Sequence, residues 1–244
     1  MLNLKINVVV IDFDRTLVNP KDSFIINENV RNELESLTAA GIIKILATGR
    51  VLSKIPDKSV FHLFDMIIAE NGCLIYDCKS NYEIELAPMK WKAKKIQIER
   101  ILNEEGIKFN SGNFIISVKK NASIESFLKN KLPEYEFQLE SNADDIMVLP
   151  EGIDKGYAIK KAMGDKKFSA GIGDNINDLK LFEAVDIRIA VANAEQVLKD
   201  KADVVTSIPY GNGVAEALSS IRLGKMIIMN DNVRKSVISD FRDK

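Results

Sequence analysis

The sequence predicts an α/β protein: a doubly wound parallel sheet carrying an inserted, smaller α+β domain. Two observations predict it. First, short aliphatic runs recur with helical patterns between them: "NVVVID" (7–12), "IIKILAT" (42–48), "MIIAE" (66–70), "FSAGIG" (168–173), "IRIAVA" (187–192) and "DVVTS" (203–207). Continuous apolar runs of this length suit parallel strands covered by helices on both faces. Second, the stretch from about Asn81 to Pro150 has less continuously apolar strands, as in a sheet with one solvated face. A chain of 244 residues accommodates a core plus one smaller domain. The expected division is residues 1–80 and 151–244 for the core and 81–150 for the insertion.

The elements follow in order. After the first strand, "NENVRNELESLTAAG" (27–41) places Val30, Leu34 and Leu37 on one helical face, with Gly41 where a chain leaves a helix. The insertion reads as a helix ("MKWKAKKIQIERILNEEG"), a strand ("FIISVKK"), a helix ("ASIESFLKNKL") and two strands ("YEFQLES", "DDIMVLP"). Helices are expected again over "DNINDLKLFEAVD", "ANAEQVLKDKAD" and "GVAEALSSIRLG". This alternation implies right-handed crossovers. In the tail "GKMIIMNDNVRKSVISDFRDK", Met226 to Met229 form an apolar patch that suits a last strand or a contact surface.

Bulk composition excludes several classes. Net charge is −1, with 46% hydrophobic and 28% charged residues, so no global field points to nucleic acid or an anionic membrane. The lysines between Lys90 and Lys95 have helical spacing and read as a solvated helix face. Cys73 and Cys78 are too few for a disulfide scaffold and are expected as free thiols. No apolar run is long enough to span a bilayer, and the start "MLNLKINVVVIDFD" has no signal-peptide pattern. A cytoplasmic protein, monomer or homodimer, is expected. His62 and Trp91 read as packing residues.

The chemistry lies at the strand ends. In open α/β sheets, ligands bind outside the carboxyl ends of the strands. Asp12 and Asp14 follow strand one; Thr48, Gly49 and Arg50 follow strand two; Asp174 and Asp178 follow "SAGIG"; Lys155 precedes the helix leading into that strand. Buried carboxylates need a positive partner. Three of them suit Mg²⁺, a hard cation that prefers oxygen, and a lysine and a hydroxyl beside it suit a phosphoryl group. Zinc is disfavoured, because His62 is the only histidine. Carboxylates must then do the acid–base work, and one could attack phosphorus. Asp12 and Asp14 would face opposite sides of a strict strand, so the backbone must leave β geometry near Asp12. Glu70, Asn71 and Gly72 read as a strand-ending turn.

In order, "DFDRTL" (12–17), "ATGR" (47–50), "GIDKG" (152–156) and "GIGDNIND" (171–178) resemble the four motifs of the haloacid dehalogenase superfamily phosphatases. "AENGCLIYD" (69–77) and "VANA" (191–194) are similar to its Cof-type and archaeal phosphoglycolate phosphatase-like members. The resemblance implies a Rossmann-like core with a C2-type cap, Mg²⁺ as cofactor and a small phosphorylated metabolite as substrate, such as phosphoglycolate or a sugar phosphate. It implies Asp12 as nucleophile, Asp14 as general acid/base, and Thr48, Gly49, Lys155 and Asn177 around the phosphoryl group. Asp12, the Asp14 carbonyl, Asp174 and Asp178 would hold the metal, Asp178 directly or through water. A phosphotransferase or phosphomutase on the same core, or a non-catalytic receiver-like module, are the competing readings; the absence of membrane spans excludes an ion pump. Two positions depart from the family pattern: Arg15 stands where glycine is usual and is expected to point outward, and Asn212 stands where aspartate is frequent. From the cap, Asn110, Ser111, Asn113, Ser141 and Asn142 are the polar candidates for contacting substrate.

Overall fold

The structure is a computed structural model that describes residues 6–121, 123–132, 136–142, 144–164 and 168–224. Its strands are β1 (Val8–Asp12), β2 (Ile43–Ala47), β3 (Met66–Ala69), β4 (Leu74–Asp77), β5 (Tyr82–Glu85), β6 (Phe109–Ser111), β7 (Ile116–Lys119), β8 (Phe137–Asn142), β9 (Asp145–Pro150), β10 (Ser169–Gly173), β11 (Ile187–Ala190) and β12 (Val204–Val205). Its α-helices are α1 (Glu28–Ala39), α2 (Val60–Leu63), α3 (Trp91–Glu104), α4 (Ile124–Lys131), α5 (Lys155–Met163), α6 (Leu179–Phe182), α7 (Gln196–Lys199) and α8 (Tyr210–Arg222).

Two sheets carry the architecture. The larger has the order β12-β11-β10-β1-β2-β3-β4-β5; the smaller has the order β6-β7-β9-β8. From β12 to β3 the large sheet is parallel, and β4 and β5 extend it antiparallel. All pairs of the small sheet are antiparallel. The predicted α/β class with an α+β insertion is therefore what the chain adopts. β1 lies between β2 and β10, where the chain order reverses, which is the switch point at which such sheets bind ligands.

The reasons are local. Val8 to Ile11 are at most 1% exposed, as a central strand covered on both faces requires. α1 starts where the Asn27 side chain accepts the Val30 N–H at 3.0 Å, and it buries Val30, Leu34 and Leu37. Gly41 follows at φ +72°, which costs glycine nothing. Asn212 ties α8 to this start: its carbonyl oxygen accepts from the amides of Asn27 and Asn29. The small sheet and α3 and α4 share a second apolar cluster containing Trp91, Ile98, Leu102, Phe114, Ile116, Leu128 and Val148. Trp91 is a packing residue as expected; its indole N–H donates to the Phe114 carbonyl at 2.6 Å. Lys95 departs from the expected solvated face: it is buried and its ammonium bonds Glu99 and Ser111.

Three strands escaped the sequence reading. β4, β5 and β6 are short, and β5 is exposed along its whole length, so neither burial nor periodicity marks it. β5 also extends the large sheet beyond residue 81, where the division between core and insertion was expected. The segment 192–203 holds only the four-residue α7, because Arg188 grips the Asp203 carboxylate and draws the chain back to the sheet edge. Cys73 and Cys78 are free thiols. No helix among the described residues is long and apolar enough to cross a membrane. The apolar patch Met226–Met229 lies outside the described residues.

Candidate active site

β1 ends at Asp12, and the chain leaves the strand there. The Leu17 N–H donates to the Asp12 carbonyl at 3.1 Å and the Val18 N–H to the Phe13 carbonyl at 3.1 Å. The turn needs a left-handed residue, and Arg15 supplies it at φ +61°. Arg15 does not point outward as expected. Its Nε lies 3.1 Å from Asp174 Oδ2, because a carboxylate that is only 2% exposed draws the nearest cation inward.

Asp12, Asp174 and Asp178 come together, each offering an oxygen within 4.8 Å of the other two. All three are buried. The Lys155 ammonium sits between two of them, 2.6 Å from Asp12 Oδ1 and 2.7 Å from Asp178 Oδ1. Lys155 is there because it opens α5, whose start is fixed by Asp154 accepting the Tyr157 N–H at 2.7 Å. Asp178 Oδ2 accepts the N–H groups of Asp174 and Asn175 at 3.0 and 3.1 Å. That close approach requires glycine at 173, where a Cβ would stand 2.7 Å from Asp178 Oδ2. Asp174 Oδ1 accepts the Thr16 hydroxyl at 3.1 Å.

Charge crowding dominates the electrostatics. Burial first and Asp178 second push Asp12 well above the usual carboxylate range, against the pull of Lys155. Burial and Asp178 likewise push Asp174 up to about 7. For Lys155, burial alone would lower the ammonium pKa, but Asp12 and Asp178 outweigh it and raise it. The cluster holds more negative charge than it neutralises, and buried Asp174 Oδ2 meets the Arg15 guanidinium as an ion pair but accepts no hydrogen bond. A buried all-oxygen set of three converging carboxylates fits a hard divalent cation.

The Asp14 carboxylate stands outside this group of three. Arg50 holds it with two bonds, Nε to Oδ2 at 2.9 Å and Nη2 to Oδ1 at 2.6 Å. The guanidinium is itself placed over the Phe24 ring, 4.5 Å from its centroid. Thr48 is fully buried, and its hydroxyl accepts the Arg50 N–H at 3.1 Å. Gly49 lies between them, and Asn177 lies in the 3-10 turn Ile176–Asp178 beside the metal-type carboxylates. Arg50 is the residue whose role the sequence reading missed; its place directly after Thr48 and Gly49 was the available signal.

The cap contributes differently from expectation. Ser111 bonds Lys95 and Glu99, Ser141 accepts from exposed Lys120, and Asn113 uses only its N–H, to Glu70. Asn110 lies exposed in β6; the side chain of Asn142 is outside the described residues. None of the first four bonds the acidic cluster. Glu70 is more than a strand-ending residue. Fully buried at φ +49°, it accepts the N–H groups of Asn113, Phe114 and Ile115 and ties the cap to the end of β3. Asn71 beside it donates to Glu140 of β8 at 3.0 Å. Glu140 was also missed, although "FQLES" puts Gln138 and Glu140 on one polar strand face.

The profile of the haloacid dehalogenase-like hydrolases matches residues 9–110 and 79–218. The chain belongs to that family. It is a hydrolase of the phosphoric monoester class that the motifs led us to expect. It is 36% identical over 220 residues to a phosphoglycolate phosphatase of Sulfurisphaera tokodaii, covering 88% of this chain and 93% of that one. It is 25% identical to a 5-amino-6-(5-phospho-D-ribitylamino)uracil phosphatase of Bacillus subtilis, covering 88% and 96%. A haloacid dehalogenase-like hydrolase structure from Bacteroides thetaiotaomicron shares the fold, with TM-score 0.72, 21% identity and coverage of 89% and 100%.

Proposed function

We propose that the protein is a Mg²⁺-dependent phosphatase that hydrolyses a small soluble phosphomonoester through an aspartyl-phosphate on Asp12. The observation that supports this most is the convergence of Asp12, Asp174 and Asp178 around Lys155 at the switch point of the sheet. An Asp12 oxygen attacks phosphorus and the bond from phosphorus to the leaving-group oxygen breaks, while Asp14 gives the leaving-group oxygen its proton. Water then attacks phosphorus, returns a proton to Asp14, and frees Asp12 and inorganic phosphate. Thr48, with Gly49 and Asn177 nearby, and Lys155 bind the phosphoryl oxygens and their developing charge. Asp12, Asp174, Asp178 and the Asp14 carbonyl would hold Mg²⁺, which when bound neutralises phosphoryl charge. The inserted segment acts as a cap that excludes water during the first transfer. Phosphoglycolate and sugar or polyol phosphates are the two substrate kinds that the relatives' names suggest. A screen of phosphorylated metabolites with Mg²⁺, reading released phosphate, tests the reading. Release without an acceptor sugar supports a hydrolase; transfer that requires one supports a phosphotransferase.

Two further outcomes follow. Mg²⁺ at about 100 times its Kd is expected to stabilise the metal-free protein by roughly 2.7 kcal/mol. Asp174→Asn should remove most of that gain in a thermal-shift titration, and an undiminished gain would place the cation elsewhere. Arg50→Ala should lower kcat roughly 10- to 100-fold, part of what a positioned proton-transfer group is worth, with little change in Tm. An unchanged kcat would show that Asp14 does not depend on Arg50.

A further inference from the structure

β8 runs over the site. Its alternation turns Leu139 into the cap core and Gln138 and Glu140 toward the core domain. Gln138 bonds the backbone there: its amide donates to the Ile153 carbonyl at 2.8 Å and accepts the Gly152 N–H at 3.0 Å. Glu140 takes one donor on each oxygen, Asn71 Nδ2 at 3.0 Å and Gln138 Nε2 at 3.2 Å. Asn71 is fully buried and donates its own N–H to the Thr48 carbonyl at 3.1 Å. Glu140 is thus linked through one residue to the phosphoryl-binding threonine. β8 also packs on the turn Ile176–Asp178, and the charges of Lys155, Lys180 and Asp154 all reach Glu140.

Its hydrogen-bond donors are uncharged. Both bonds come from neutral amides, and no ammonium or guanidinium among the described residues pairs with it. Burial and Asp154 push its carboxyl up to about 7. A carboxylate accepts about four hydrogen bonds, so Glu140 has acceptor capacity facing the cap–core junction.

We propose, on the basis of the phosphatase reading, that Glu140 is a specificity-determining residue. Its carboxylate selects phosphomonoesters whose leaving group carries hydroxyl or ammonium donors and disfavours those whose leaving group carries a carboxylate. A hydroxyl beside the ester oxygen donates to Glu140. A carboxylate in that place meets a like charge in a poorly hydrated space. Of the two substrate kinds suggested by the relatives, the polyol or sugar phosphate is the one this chain takes.

The test measures kcat/KM for glycerol 3-phosphate, phosphoglycolate and p-nitrophenyl phosphate with Mg²⁺, for wild type and Glu140→Gln. The wild type should prefer glycerol 3-phosphate to phosphoglycolate by at least about 10-fold, within the range that one matched polar contact supplies. Glu140→Gln should cut that ratio at least about 10-fold through the KM for phosphoglycolate, with p-nitrophenyl phosphate within about threefold and Tm retained. A wild type that prefers phosphoglycolate overturns the proposal, whether or not the variant folds. So does a ratio unchanged in a folded variant. Either leaves the phosphatase reading intact. No phosphate from any of the three esters overturns that reading, and the role of Glu140 with it.

Discussion

Asp12→Asn is expected to abolish turnover, by a factor on the order of 10⁴ or more, because an amide cannot form the acyl phosphate and the chain offers no second nucleophile in that place. The fold should survive. Asparagine keeps the shape of the side chain and can still meet Lys155. Burial and Asp178 already push the Asp12 carboxyl upward, so removing one of three crowded carboxylates relieves repulsion. Tm of the metal-free protein should therefore hold or rise. Phosphate release under single-turnover conditions checks the first part, with mass spectrometry excluding deamidation back to aspartate. Wild-type-like turnover would overturn Asp12 as the nucleophile.

Lys155→Met has the second large effect, and it appears in stability as well as activity. Lys155 is 2% exposed, and its ammonium bonds both Asp12 and Asp178. Removing it leaves buried carboxylates uncompensated, which costs about 3–5 kcal/mol. For a chain of this size the corresponding fall in Tm is roughly 10 °C. Loss of a preorganised positive group at the phosphoryl oxygens lowers kcat by about 10²–10³. The double variant Lys155→Met/Asp178→Asn should be less destabilised than Lys155→Met alone, since it removes the orphaned charge as well. Equal or greater destabilisation of the double variant would mean that Lys155 acts through packing of its stem. Mg²⁺ should narrow the gap in Tm between Lys155→Met and wild type, because the cation replaces part of the missing positive charge.

Much of the site was legible in order along the chain. Each acidic residue follows an aliphatic run, and such runs are buried strands whenever helices cover both faces. Once the runs are strands, Asp12 and Asp174 stand at neighbouring carboxyl ends, since β1 and β10 pair in parallel. Asp14 was harder. Its charge marks it, but its partner Arg50 sits 36 residues away, and only the pairing of β1 with β2 brings the two together. Arg15 was misread for a similar reason. Its local sequence is a turn, where long side chains ordinarily reach solvent, yet Asp174 arrives from a strand paired beside β1 and draws it in. β5 was invisible because a strand exposed along its length carries no apolar run to announce it.

By itself the sequence determined the α/β class, the identity of the strands that carry charge at their ends, and the polar residue types that gather there. These follow from local periodicity and from the cost of burying carboxylates, both of which act over a few residues. Only the tertiary structure decided which polar groups pair: Lys155 with Asp12 and Asp178, Arg50 with Asp14, Arg15 with Asp174, and Glu140 of the cap with Asn71 of the core. Electrostatic and hydrogen-bond partners are chosen by distance in space, at a range of a few ångströms, and the strand order that sets those distances is not written in any one segment of the chain.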